Sequence, residues 1–134
     1  MKKLVTFICF FVATTPGFTQ TTLQAFPLSS VRLLDGPFKE AQETDLRYIL
    51  SLDPDRLLAP FLREAGISPK APSYGNWENT GLDGHIGGHY LSALAYMYAS
   101  TGNEVIRQRL DYMIAWLDSC QRQRGDGFVG GVPR

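Results

Sequence analysis

Apolar residues return at helical spacing along three stretches of the chain. Phe38, Ala41, Leu46, Ile49, Leu50 and Leu52 mark one stripe, which predicts a helix over about 37–52. Asp35 is placed to cap it, and Pro37 suits its first turn. Ile86, Tyr90, Leu91, Leu94, Ala95 and Tyr98 mark a second stripe, from about residue 83 or 84 to 100, stopped by Gly102. Asn103 caps a third helix, reaching to about 123, with Ile106, Leu110, Met113, Ile114, Leu117 and Cys120 on one face. The short connection at Gly102 makes these last two an antiparallel αα-hairpin.

The intervening segments are irregular. "TTLQAFPLSSVRLL" reads as an extended arm over about 20–30, with a short strand around Val31 and Leu33 that "DGP" stops. Asp53-Pro54 breaks the first helix, and a short helix over about 55–58 is expected before Pro60. "GISPKAPSYGNWEN" is a long loop carrying Tyr74 and Trp77, and "RGDGFVGGVPR" is a glycine-rich loop. No βαβ rhythm appears, so the fold class is all-α. Alternating long and short connections suit a toroid of helical hairpins, with the long loops and the site at one end. Three main helices close no barrel, so an incomplete barrel is expected, with residues 31–134 as its N-terminal part.

The N-terminus reads differently. Lys2 and Lys3 precede the apolar run "LVTFICFFVA", and "TTPGFTQ" follows. That is the layout of a secretory signal peptide over residues 1–19. The run is about half the length of a membrane span; a short anchor or a buried helix are the other readings. Cleavage implies a secreted or periplasmic protein with no membrane attachment. It lowers the 13 basic residues to 11 against 13 acidic. It also removes Cys9, so Cys120 has no partner for an internal disulfide. The remaining chain must be held by its core alone. Lys and Arg are nowhere clustered, so neither a nucleic-acid nor an anionic-membrane footprint is present.

The candidate chemistry sits where the second stripe begins, in "GLDGHIGGHYLSALA". His85 and His89 are the only histidines and lie on one helical face. Gly84, Gly87 and Gly88 surround them, although glycine costs about 1 kcal/mol relative to alanine inside a helix. The spacing matches the two histidines of H-E-x-x-H, but Ile86 stands where the glutamate belongs, and zinc needs a third ligand. Three readings stay open: a metal pair, two hydrogen-bonded and partly buried histidines, or contacts to a polar ligand. A neutral imidazole both donates and accepts, which suits hydroxyl-rich molecules. Gly84 and Gly88, four apart, allow close approach of a helix or a substrate. Trp77 and Tyr74 offer faces for a sugar ring. Glu78 and Asp83 form a possible glycosidase acid/base pair, although Asp83 also has a ready capping role. Arg124, Asp126 and Phe128 are placed to line a site. Cys120 is most simply a small core residue.

Taken together, "VRLLDGPFKEAQETDLRYILSLDPDRLLAPFLREAGI", "YGNWENTGLDGHIGGHYLSALAYMYASTGN" and "QRQRGDGFVGGVP" resemble the start of the catalytic domain of glycoside hydrolase family 127, related to family 146. The resemblance runs from about Leu28 to the last residue. It implies an (α/α)6 barrel and a retaining exo-glycosidase that removes terminal β-L-arabinofuranose from plant-type glycans. It also implies a cysteine nucleophile held on zinc by cysteines and a glutamate, with another glutamate as acid/base. None of those residues matches a position here, and Cys120 lies outside any cysteine-rich motif. No zinc is therefore expected on this chain alone, and the chain is expected to be inactive alone. By motif match, His85, His89 and Trp77 are the candidate sugar contacts. A small helical carbohydrate-binding or interaction module, or another (α/α)6 glycosidase or lyase, are the alternatives.

Overall fold

The computed structural model describes residues 23–133; the leader predicted over 1–19 lies outside them. Four α-helices account for the order: α1 (Pro37–Ser51), α2 (Pro54–Glu64), α3 (His85–Thr101) and α4 (Glu104–Arg124). Single 3-10 turns stand at Leu28–Ser30 and Asn76–Asn79. Among the described residues there is no strand. The strand expected near Val31 and Leu33 fails because no second strand is there to bond it. Instead Arg32 donates to the Ser29 and Val31 carbonyls and to Ser100 at the end of α3.

The core forms where α3 and α4 pack as the expected hairpin and α2 closes over them. Leu57, Leu58 and Leu62 of α2, Leu94 of α3, and Ile106 and Met113 of α4 are fully buried. Each such side chain contributes about 1.5–3 kcal/mol. On α4 the core residues Ile106, Leu110, Met113, Leu117 and Cys120 alternate at spacings of four and three, while Ile114 falls off this seam and is exposed. On α3 the buried face is Gly87, Tyr90, Leu94 and Met97, rotated from the expected stripe, so that Ile86 and Ala95 are exposed. The rotation follows from α3 meeting both α2 and α4.

α2 is longer than the sequence indicates, because it runs through Pro60 to Glu64. A proline inside a helix costs about 3 kcal/mol. The three leucines buried on either side of it outweigh that cost. Asp53 caps this helix through the Asp55 N–H at 2.9 Å. Asp35 does not cap α1: Gly36 occupies the cap position, and Asp35 instead pairs with Lys39 one turn along at 2.7 Å.

α1 ends without a glycine, and its last carbonyls go to α4. The Arg109 guanidinium donates to the Leu50 carbonyl at 2.9 Å, the Leu52 carbonyl at 2.7 Å and the Tyr90 hydroxyl at 3.2 Å. The Tyr90 hydroxyl donates in turn to the Ile49 carbonyl. Burial pushes the Tyr90 phenol up, with Arg109 pulling the other way. One guanidinium thus ties three helices.

The loop between α2 and α3 is pinned at several points. Lys70 lies over the Trp116 ring and donates to the Tyr112 hydroxyl, which donates to Asp55. Arg56 bonds the Pro72 carbonyl and covers the Tyr74 ring at 3.9 Å. The Tyr74 hydroxyl accepts from the Asp53 N–H. The loop therefore delivers Asn76–Asn79 to a fixed place beside the start of α3.

Candidate functional site

α3 begins at His85, preceded by Gly84 with φ +87. That positive φ favours glycine, and two other segments leave no room for a side chain. A Cβ on Gly84 would lie 2.9 Å from the Phe61 ring and 3.1 Å from the Gly131 backbone. Gly87 faces the same ring, at 2.8 Å from its added Cβ, and the Leu57 carbonyl at 3.2 Å. Gly88 is the exception, since a Cβ there meets nothing within 4 Å. The expectation that Gly84 and Gly88 share one neighbour is therefore corrected: Gly84 and Gly87 admit Phe61 of α2, and Gly88 faces outward.

His85 and His89 lie beside Gly88 on this outward side of α3, and all three are exposed. Trp77 completes a row of rings. Its centroid is 5.4 Å from that of His85, and His85 is 4.6 Å from His89 in an edge-on arrangement. Trp77 keeps 57% of its surface open. No hydrogen bond joins either imidazole to another group among the described residues, so the reading of two hydrogen-bonded, partly buried histidines does not hold. The row is a shelf of three rings, with the exposed backbone of Gly88 to one side of it.

The carboxylates beside this shelf are engaged. Glu78 is completely buried. Its Oε2 accepts from the Gly84 N–H at 2.9 Å and its Oε1 from the Ile86 N–H at 2.7 Å. Asp83 is nearly buried; it accepts from the Arg63 guanidinium at 2.5 Å and from the Gly81 N–H at 3.1 Å. Glu78, not Asp83, therefore caps α3, because Gly84 at the cap position has no side chain to do so. Both carboxylates are buried and spent on these bonds, so they do not stand as an exposed acid/base pair.

The glycine-rich loop reaches this end as well. Gly131 packs against Pro60 and Gly84, and the loop bounds a cleft of about 270 Å³ with Phe61, Leu82 and His85. Arg124 is turned inward, bonding the Glu64 carbonyl and the Asp126 carboxylate and lying over Phe128. The hydrogen bond to Asp126 pushes the Arg124 guanidinium up from its ordinary value. A second cleft of about 180 Å³ lies on the other side of α3, between His89, Ile86, Tyr48 and Leu52. A larger concavity, about 680 Å³, lies between the N-terminal arm, α1 and α3. Phe38, Tyr48, Tyr96 and Met97 make it apolar. Gln42, Asp45 and Ser100 are the polar side chains on its lining.

Among the described residues no three His, Cys, Asp or Glu side chains converge. Cys120 is buried, and burial pushes its thiol up, against the thiolate that zinc or a nucleophile requires. Among the described residues no helix is long and apolar enough to cross a membrane.

The family model for the β-L-arabinofuranosidase catalytic domain of glycoside hydrolase family 127 matches residues 30–134. The chain belongs to glycoside hydrolase family 127. No match was found among curated proteins. The four helices are accordingly part of the helical barrel of a family 127 catalytic domain. The ring row of this family 127 chain includes one feature that sequence reasoning missed. Asn76, which precedes Trp77, has φ +61, a left-handed conformation in a residue other than glycine. The Asn-Trp-Glu-Asn run hinted at such a turn, since asparagine tolerates that region better than other side chains do.

Proposed function

We propose that this chain supplies one wall of the sugar site of a secreted or periplasmic β-L-arabinofuranosidase. His85, His89 and Trp77 contact a terminal arabinofuranose, and the reaction is hydrolysis of its glycosidic bond. The open ring row carries this reading. It joins an aromatic face to two imidazoles with no hydrogen-bond partner among the described residues, beside the exposed backbone of Gly88. Trp77 stacks on the less polar face of the sugar, and the imidazoles exchange hydrogen bonds with its hydroxyls. The family's zinc, its cysteine nucleophile and its acid/base lie outside residues 23–133 in this reading, and the described residues bind and orient without breaking the bond.

The test uses p-nitrophenyl β-L-arabinofuranoside and methyl β-L-arabinofuranoside. The chain should bind the methyl glycoside but not turn over the nitrophenyl one. H85A and H89A should each weaken binding by about tenfold, the loss of one or two hydrogen bonds. Turnover by the chain alone would sink the division of labour. Unchanged binding in both variants would sink the sugar contacts.

A further inference from the structure

We infer that Glu78 is a positioning residue, which sets the Trp77–His85–His89 row in register; the inference rests on the sugar-contact reading of that row. A buried carboxylate is expensive unless fully paired. The partners of Glu78 are two backbone N–H groups at the start of α3, of Gly84 and Ile86. The N-terminal end of a helix also favours a negative group. An ordinary cap would come from the residue at the cap position itself. Here that residue must be glycine, because Phe61 and Gly131 stand where a Cβ would go. The cap therefore arrives from the loop, six residues back in the chain for Gly84 and eight for Ile86.

This changes what the cap does. It fastens one structural element to another, as well as satisfying N–H groups. The Asn76–Asn79 turn has no side-chain cap of its own. Among the described residues, Glu78 provides the only side-chain hydrogen bonds from this turn to the rest of the chain. Trp77 is the adjacent residue and is mostly exposed, so packing alone does not hold it. The same two bonds that start α3 thus also set the 5.4 Å spacing between Trp77 and His85. Glu78 itself touches no sugar, being completely buried; it acts through its neighbours.

The experiment follows the imidazole ring protons by NMR in the whole chain. Two histidines give two ring systems, so the signals are few. In the wild type the Trp77 ring current displaces the His85 signals, a displacement defined by comparison with W77A. In E78Q the amide nitrogen opposes one backbone N–H, so one bond is lost. The expected result is that far-UV circular dichroism is retained and the His85 signals move to their W77A positions. Binding of methyl β-L-arabinofuranoside should weaken by about tenfold. If E78Q leaves the His85 signals at their wild-type positions, the positioning role is overturned. If E78Q does not fold, E78D carries the same comparison: it keeps the charge but is too short to reach both N–H groups. Failure of the wild-type ring signals to respond to the sugar overturns the sugar reading alone. The ring positions without sugar still decide the role of Glu78.

Discussion

Gly87 and Gly88 are neighbours in one helix, and the structure assigns them opposite responses to the same methyl group. At Gly88 an added Cβ meets nothing within 4 Å. Alanine there gains helix propensity and restricts the unfolded chain, for about 0.5–1 kcal/mol of stabilisation. At Gly87 the Cβ would stand 2.8 Å from the Phe61 ring and 3.2 Å from the Leu57 carbonyl. The ring can turn aside, but the backbone carbonyl belongs to α2 and cannot. Overpacking of this kind costs about 1–3 kcal/mol, which exceeds the propensity gain. The two variants should therefore differ by about 2 kcal/mol, with G88A above wild type and G87A below it. Urea unfolding followed by circular dichroism at the helix band measures both midpoints. In thermal unfolding each kcal/mol corresponds to about 4–8 °C for a domain of this size. G88A also places a methyl group on the exposed surface beside the His85–His89 pair, so it should weaken sugar binding while stabilising the chain. Equal midpoints for the two variants would refute the packing of α2 against α3 at Gly87. A stabilised G88A that binds sugar as well as wild type would refute the role of the bare backbone.

The remaining predictions concern the frame. R109M removes the donor to the Leu50 and Leu52 carbonyls and to Tyr90, and should lower stability by about 1–3 kcal/mol in the same urea assay. N103A removes the side chain that accepts from the Val105 and Ile106 N–H groups, and should cost about 1 kcal/mol. Cys120 should react with a thiol reagent only as fast as the chain unfolds, since it is buried. Burial also pushes that thiol up, so the unfolded chain gives up its proton at lower pH than the folded one. The resulting stabilisation is full below the ordinary thiol range and is lost as pH rises through the raised value. The urea-midpoint gap between wild type and C120A should therefore shrink in alkali.

The helical hairpin was legible because its signals agree. Asn103 caps, Gly102 stops, and the stripe of α4 repeats without interruption. Where one local rule stood against tertiary burial, the local rule failed. Pro60 announces a helix end, yet three buried leucines carry α2 past it. Asp83 has the right residue type and position for a cap, but Arg63 takes its carboxylate and leaves the role to Glu78. The ring row was legible in its histidines and not in its arrangement. His85 and His89 share a face by spacing alone, whereas the contact of Trp77 with His85 depends on a long loop whose anchors are scattered over α2 and α4. The glycines misled for a related reason. Their sequence spacing says which could face one neighbour, but only the position of Phe61 shows which of them do.

The central claim is that the outward face of α3 meets a sugar. Titration of the chain with methyl β-L-arabinofuranoside, read on the two imidazole ring systems and on the Trp77 indole N–H, tests it most directly. The account predicts that all three signals move together with one dissociation constant, and that L-rhamnose, a six-carbon sugar, leaves them in place. Ring signals that stay fixed throughout the arabinoside titration, in a chain whose circular dichroism shows folded helices, would contradict it.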